Sequence, residues 1–307
     1  MIEAHSLTKR YGAKTAVDNI DFTVRPGLVT GFLGPNGAGK STTMRMIIGL
    51  DRPSGGTVTV NGKPYAHHRD PLHQVGSLLD AKAVHSGRSA RNHLLAIGAT
   101  HRIGVRRVDE VIGLTGLESV ARKRVHGYSL GMGQRLGLAA ALLGDPATLI
   151  LDEPVNGLDP EGVAWVRQLA RQLAAEGRTV LLSSHLMSEM AQTADHLIIL
   201  GRGRIVADAS VSEIISVSGD SVTVRTSEPD RLAGLLRADG ASVSSTGPDL
   251  LSISDLPAPR IAEVAAGAGV VIYELTPIRG SLEDAYLALT RDEVEYRTSR
   301  TVTEARR

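Results

Sequence analysis

Short apolar runs ending at glycine-rich or acidic turns alternate, over the first 216 residues, with segments whose apolar positions recur every three or four residues. Residues 28–33 (Leu-Val-Thr-Gly-Phe-Leu) form one such run, and 42–50 after it read as a helix broken at Arg52-Pro53-Ser54-Gly55-Gly56. Residues 57–60 alternate polar and apolar and close on Asn61-Gly62, a strand followed by a turn. Helical spacing resumes from 89 to 124. Residues 148–151, 179–183 and 196–200 are continuous apolar runs, the pattern of strands covered on both faces. The alternation predicts an α/β fold with a mainly parallel sheet.

Residues 216–220 (Ser-Val-Ser-Gly-Asp) read as a linker, and the pattern changes beyond them. Strand 221–226, helix 230–238, strands 241–245 and 250–254 about Gly247-Pro248, helix 259–266 and strand 270–276 give the order βαββαβ, the ferredoxin-like arrangement. Ser281, with Asp284 three positions on, predicts the start of a final helix. The expected organisation is a first domain over 1–216 with a helical subdomain at about 85–145, an α+β domain over 220–290, and a polar tail over 291–307.

Composition then removes several functions. With 34 basic and 33 acidic residues the net charge is +1, so no overall field draws the chain to nucleic acid, and 3% aromatic residues are too few for a base-stacking sheet. Cysteine is absent, which excludes disulfides, thiolate nucleophiles and zinc-cysteine centres. The first nine residues hold no apolar stretch of the kind that opens a secretory leader. No apolar run approaches the ~18 residues that span a bilayer, so work at a membrane would need a separate spanning partner.

Residues 34–42, Gly34-Pro35-Asn36-Gly37-Ala38-Gly39-Lys40-Ser41-Thr42, fit G-x-x-x-x-G-K-[ST] without mismatch, between a predicted strand and a predicted helix. Glycines let successive backbone N–H groups turn toward phosphate oxygens, and the helix N-terminus adds partial positive charge. Lys40 supplies an ammonium for the β and γ phosphates, and the Ser41 hydroxyl a ligand for Mg²⁺. About 110 residues later the run 149–151 ends in Asp152-Glu153-Pro154. Carboxylates there fall at the carboxyl edge of a parallel sheet, where Asp152 can hold Mg²⁺ and Glu153 can act as general base toward water.

Four more segments complete the pattern: Tyr11-Gly12, Tyr128 through Leu136 (Tyr-Ser-Leu-Gly-Met-Gly-Gln-Arg-Leu), Asn156-Gly157-Leu158-Asp159-Pro160, and Ser183-Ser184-His185. In this order and spacing the six motifs resemble the ATP-binding cassette family over residues 2–215. The resemblance implies an ATPase using ATP and Mg²⁺. It implies adenine stacking by Tyr11 and a signature loop at Ser129, Leu130, Gly131 and Met132 that meets the γ-phosphate of a second copy. Asp159 would link the two sites, and His185 would reach the γ-phosphate as the switch histidine. Leu130 and Met132 depart from the family's usual Gly and Gln. Asp80 takes the place of the family's glutamine and is expected as a further Mg²⁺ ligand.

The signature variant, the non-glutamine loop and a C-terminal domain ending Ser281-Leu282-Glu283-Asp284-Ala285-Tyr286 resemble the daunorubicin-resistance type of exporter ATPase. That implies a homodimer driving a separate membrane permease, bound peripherally at the cytoplasmic face of the cell membrane, with permease contact expected at 86–95. Two other readings stay open: an importer ATPase, and a soluble cassette ATPase acting on ribosomes or DNA. A single phosphate loop and the lack of any heptad run weigh against the second.

Overall fold

The structure, a computed structural model, describes residues 1–80, 83–278 and 280–290; the expected tail over 291–307 lies outside the described residues. The chain forms two compact units, the first built on Met1–Ser210 and the second on Val211–Leu289. The first unit runs β1 (Ile2–Tyr11), β2 (Lys14–Val24), β3 (Val29–Leu33), α1 (Lys40–Ile47), β4 (Gly55–Val60), α2 (Pro71–Gln74), β5 (Val75–Leu78), α3 (Ala90–Thr100), α4 (Val105–Leu114) and α5 (Leu130–Leu142). It continues through β6 (Thr148–Leu151), α6 (Pro160–Ala175), β7 (Thr179–Ser183), α7 (Met187–Thr193), β8 (His196–Gly201) and β9 (Arg204–Ser210). Among the described residues no helix is long and apolar enough to cross a membrane.

Two sheets share one core. The larger has six strands in the order β5-β6-β7-β3-β8-β9, parallel except for the β8–β9 pair, and the smaller is antiparallel in the order β2-β1-β4. Every residue of β3, β6 and β7 is buried, which is why these strands read as continuous apolar runs. In β2 the buried positions Ile20, Phe22 and Val24 alternate with exposed ones. Phe22 and Phe32 bring the two sheets together with ring centroids 5.7 Å apart, and α1 adds Met44, Met46 and Ile47 to the same cluster.

Capping residues set the helix starts. The Ser89, Ser129 and Asp159 side chains accept from the backbone N–H of Asn92, Met132 and Gly162 at 3.3, 3.2 and 2.9 Å, which begins α3, α5 and α6, with Pro160 at the first turn of α6. The helix expected over 42–50 starts earlier, at Lys40, because Gly39 of the phosphate loop is itself the cap.

Against α5, β5 lies so close that a Cβ on Gly76 would overlap the Ala141 carbonyl oxygen. Backbone cannot yield as a flexible side chain can. Gly76→Ala is therefore expected to destabilise the first unit by about 3 kcal/mol, lowering its melting midpoint by roughly 6–12 °C in calorimetry; an unchanged midpoint would show that the strand can move aside.

The second unit comprises α8 (Val211–Ser218), β10 (Ser221–Thr226), α9 (Pro229–Ala238), β11 (Ser242–Ser245), β12 (Leu250–Ser254), α10 (Ala258–Gly267), β13 (Ile272–Ile278) and α11 (Leu282–Thr290). From β10 to β13 the order is the expected βαββαβ, and the sheet order is β11-β12-β10-β13, antiparallel throughout. Val222, Val224, Leu251 and Ile253 pack with Leu232, Leu236 and Ile261 of the helices. The register places Ser244, Ser252, Thr223 and Thr276 in one row across all four strands, on the alternate positions of the sheet. The Ser281 hydroxyl accepts from Asp284 N–H at 3.1 Å and starts α11 as expected. The linker expected at 216–220 is instead largely helix: Val211, Ile214 and Ile215 form a stripe at helical spacing that carries α8 through to Ser218.

Candidate nucleotide site

Strands β6, β7 and β3 are neighbours and end on one edge of the sheet, so three chain segments far apart in sequence deliver their residues to one place. After β3 the phosphate loop closes on the N-terminus of α1. Gly39 sits at φ 105°, where a Cβ would stand 2.6 Å from the Ala16 carbonyl oxygen, so the left-handed turn and the close approach both require glycine. Gly203, in the β8–β9 turn, donates to the Ala38 carbonyl at 3.1 Å and accepts from Asp18 N–H at 2.8 Å, fixing the loop from behind. Lys40 is buried, and its Nζ donates to the carbonyls of Gly34 and Pro35 at 2.6 and 3.3 Å. Burial lowers the pKa of this ammonium; the Glu153 and Asp152 carboxylates act the other way.

A cleft of about 290 Å³ is lined by Ala16, residues 36–42, Leu79, Asp152 and Glu153. Ser41 Oγ donates to Asp152 Oδ2 at 2.6 Å, and Ser183 Oγ donates to Asp152 Oδ1 at 2.5 Å. Ser183 Oγ also accepts from Glu153 N–H at 3.0 Å. Glu153 itself lies at φ 49°, a left-handed conformation that side chains other than glycine adopt rarely. Its carbonyl accepts from Gln134 Nε2 at 2.9 Å, and its Oε2 lies 2.7 Å from His185 Nδ1. His185, Glu153, Asp152, Ser41 and Lys40 are thus brought together.

Of the other expected residues, Tyr11 meets the edge of this cleft at Thr42. The Tyr11 hydroxyl donates to Asp51 Oδ2 at 2.9 Å, and Thr42 faces the same phenol. The Arg45 guanidinium beside Asp51 holds that carboxyl below the usual carboxylate range. Tyr11 is half exposed, with Lys9 Nζ 4.9 Å from its ring centroid. The residue after β5 on the cleft wall is Leu79, whereas Asp80 is not on that wall and its carbonyl accepts from Ala83 N–H at 3.2 Å. Asp159, besides capping α6, lies 3.9 Å from the Arg135 guanidinium. Tyr128, Ser129 and Leu130 line a different cleft of about 480 Å³ with Val84, Ser86, Val125 and Gly133.

Ala16 and Leu79 are not singled out in the sequence, and Ser183 and Gln134, though inside motif segments, are given no role of their own there. Ser183 carried a signal, a hydroxyl at the carboxyl end of a buried strand, directly after Leu181 and Leu182. Gln134 carried another, a polar residue in a helix that is otherwise apolar or glycine apart from Arg135.

Backbone amides and a lysine facing a carboxylate pair suit a polyphosphate chain, and on this sheet edge they define a P-loop nucleoside triphosphatase. Residues 17–156 match the family described as ABC transporter, and residues 220–283 match a domain of unknown function. The chain is 34% identical to the ABC transporter ATP-binding protein YhcH of Bacillus subtilis (strain 168), over 96% of this chain and 99% of that protein. It is 34% identical to the Nod factor export ATP-binding protein I of Rhizobium leguminosarum bv. viciae, over 96% of each. With the bacitracin transport ATP-binding protein BcrA of Bacillus licheniformis it shares 40% identity, over 68% of this chain and 69% of that one. A solved structure of an ATP binding subunit of an ABC transporter superposes with a TM-score of 0.64 at 27% identity, covering 70% of this chain and 91% of that one. The chain belongs to the ABC transporter family as an ATP-binding subunit, and it is an ATPase.

Proposed function

We propose that this ATPase drives an exporter, working as a homodimer on a separate membrane permease to which it binds peripherally at the cytoplasmic face. The relatives named for bacitracin transport and Nod factor export support the export direction. The observation that carries the dimer is geometric. Ser129, Leu130 and Tyr128 open on a cleft whose lining shares no residue with that of the phosphate loop. One chain therefore holds phosphates and presents its signature elsewhere, and two chains arranged head to tail complete both clefts. The permease contact is placed on the segment 86–95, which begins at Ser86 beside this cleft.

Ser41 and Asp152 present hydroxyl and carboxylate oxygens at the phosphate end of the cleft, a hard-oxygen donor set that fits Mg²⁺. These two residues would hold it, and when bound it neutralises charge on the β and γ oxygens. In hydrolysis the water oxygen bonds to the γ-phosphorus and the bond to the β-bridging oxygen breaks, giving ADP and inorganic phosphate. Glu153 takes the proton of that water, and His185, beside its Oε2, holds the carboxylate in place. Lys40 and the loop amides neutralise the phosphate oxygens.

Ser129→Arg tests the shared clamp. A bulky cation there is expected to leave ATP affinity of the single chain within about twofold while lowering turnover at least about tenfold. Calorimetric titration and phosphate release measure the two; equal loss of both would place the signature in the cis site and end the proposal.

A further inference from the structure

The helix that begins with the signature and the loop that carries Glu153 touch at successive points on one helix face. Leu130 lies against Gly157, where a Cβ would overlap its side chain, and one turn later Gln134 Nε2 donates to the Glu153 carbonyl at 2.9 Å. Residues four apart on a helix share a face, so both contacts fall on the same side of α5. A Cβ on Gly131 would stand 2.9 Å from the Gly157 carbonyl oxygen, and Arg135 approaches Asp159 at 3.9 Å, which extends the contact from residue 153 to 159. The Glu153 peptide needs such support. Its φ of 49° is unfavourable for a residue with a Cβ, and persists only where surrounding groups over-determine it. Ser183 holds the N–H on one side, and Gln134, buried at 5% exposure, holds the carbonyl on the other.

We propose that Gln134 is a positioning residue for hydrolysis: its amide fixes the left-handed peptide of Glu153 and couples the position of the signature helix to the aim of the carboxylate. The proposal rests on the reading of Glu153 as base and of the signature as the partner-facing part of the clamp. A second copy closing on the N-terminus of α5 shifts the helix, and the amide transmits that shift to Glu153 within the same chain. Gln134 bonds a backbone carbonyl and does not line the phosphate cleft, so its loss affects the chemical step rather than nucleotide capture.

The test compares Gln134→Met, similar in length but without a donor, with the parent chain. The expected result is a kcat lowered at least about tenfold, a KM for ATP within about twofold, and, in a Glu153→Gln background, the same ATP-driven dimerisation by size-exclusion chromatography with and without the Gln134 change. Gln134→Glu, matched in shape and also unable to donate when ionised, repeats the comparison if the methionine variant does not fold. A folded variant with parental kcat overturns the proposal, as does one that loses dimerisation along with turnover. Failure of both variants to fold makes Gln134 a structural group and also overturns it. A parent chain whose Glu153→Gln form does not dimerise on ATP refutes the underlying dimer reading instead.

Discussion

Glu153→Gln is expected to lower ATP turnover about 10³-fold while the chain still binds ATP and accumulates as an ATP-bound dimer. Glutamine keeps the length of the side chain and an oxygen that can accept from His185, which lies 2.7 Å from the carboxylate in the parent. It cannot take a proton from water. It also removes a negative charge from the wall of the phosphate cleft, so repulsion toward the γ-phosphate falls and the closed dimer lives longer. Phosphate release and light scattering with ATP measure the two effects. Turnover at the parental rate would remove Glu153 from the role of base.

Lys40→Ala is expected to weaken ATP affinity about 100-fold or more, with turnover falling in parallel because little nucleotide is held. The ammonium is buried in the loop and held by two carbonyls, so the variant loses a positive charge where the nucleotide is most negative. It also strips the Gly34 and Pro35 carbonyls of their donor, which adds a penalty within the loop itself. Fluorescent nucleotide titration of parent and variant measures the affinity. Undiminished binding would show that the loop amides alone hold the phosphates.

The sequence discloses the phosphate loop well because that site is local: loop, lysine and helix start are contiguous, and glycine at 39 is required by backbone geometry at a single point. The acid pair is legible for a related reason, since an apolar strand must end where its carboxylates meet water. Ser183 and Gln134 act only through adjacency in space. Ser183 meets Asp152 because β6 and β7 are parallel neighbours, and Gln134 meets Glu153 because α5 packs along the loop after β6. Spacing alone carries neither fact. The expectation for Asp80 rests on the resemblance, while Leu79, the residue before it, lines the cleft. Asp159 is expected from the resemblance to link two sites, and its carboxylate here caps α6 in its own chain. In the fold, the alternation of Ile20, Phe22 and Val24 marks β2 legibly, yet it falls between Tyr11-Gly12 and the run at 28–33, where no strand is read. The stretch 216–220 reads as a linker from its serines and glycine, while the apolar stripe that prolongs α8 begins five residues earlier.

The Gly203 peptide, tied at once to Ala38 and to Asp18, joins parts of the chain that synthesis delivers at very different times. The rear buttress of the phosphate cradle is absent until the hairpin of β8 and β9 has docked, after nearly all of the first unit has been made. Long-range closures of this kind form slowly compared with local turns. Nucleotide capture is therefore a late property of the maturing polypeptide, and a truncated or half-assembled molecule carries the loop's sequence without its grip.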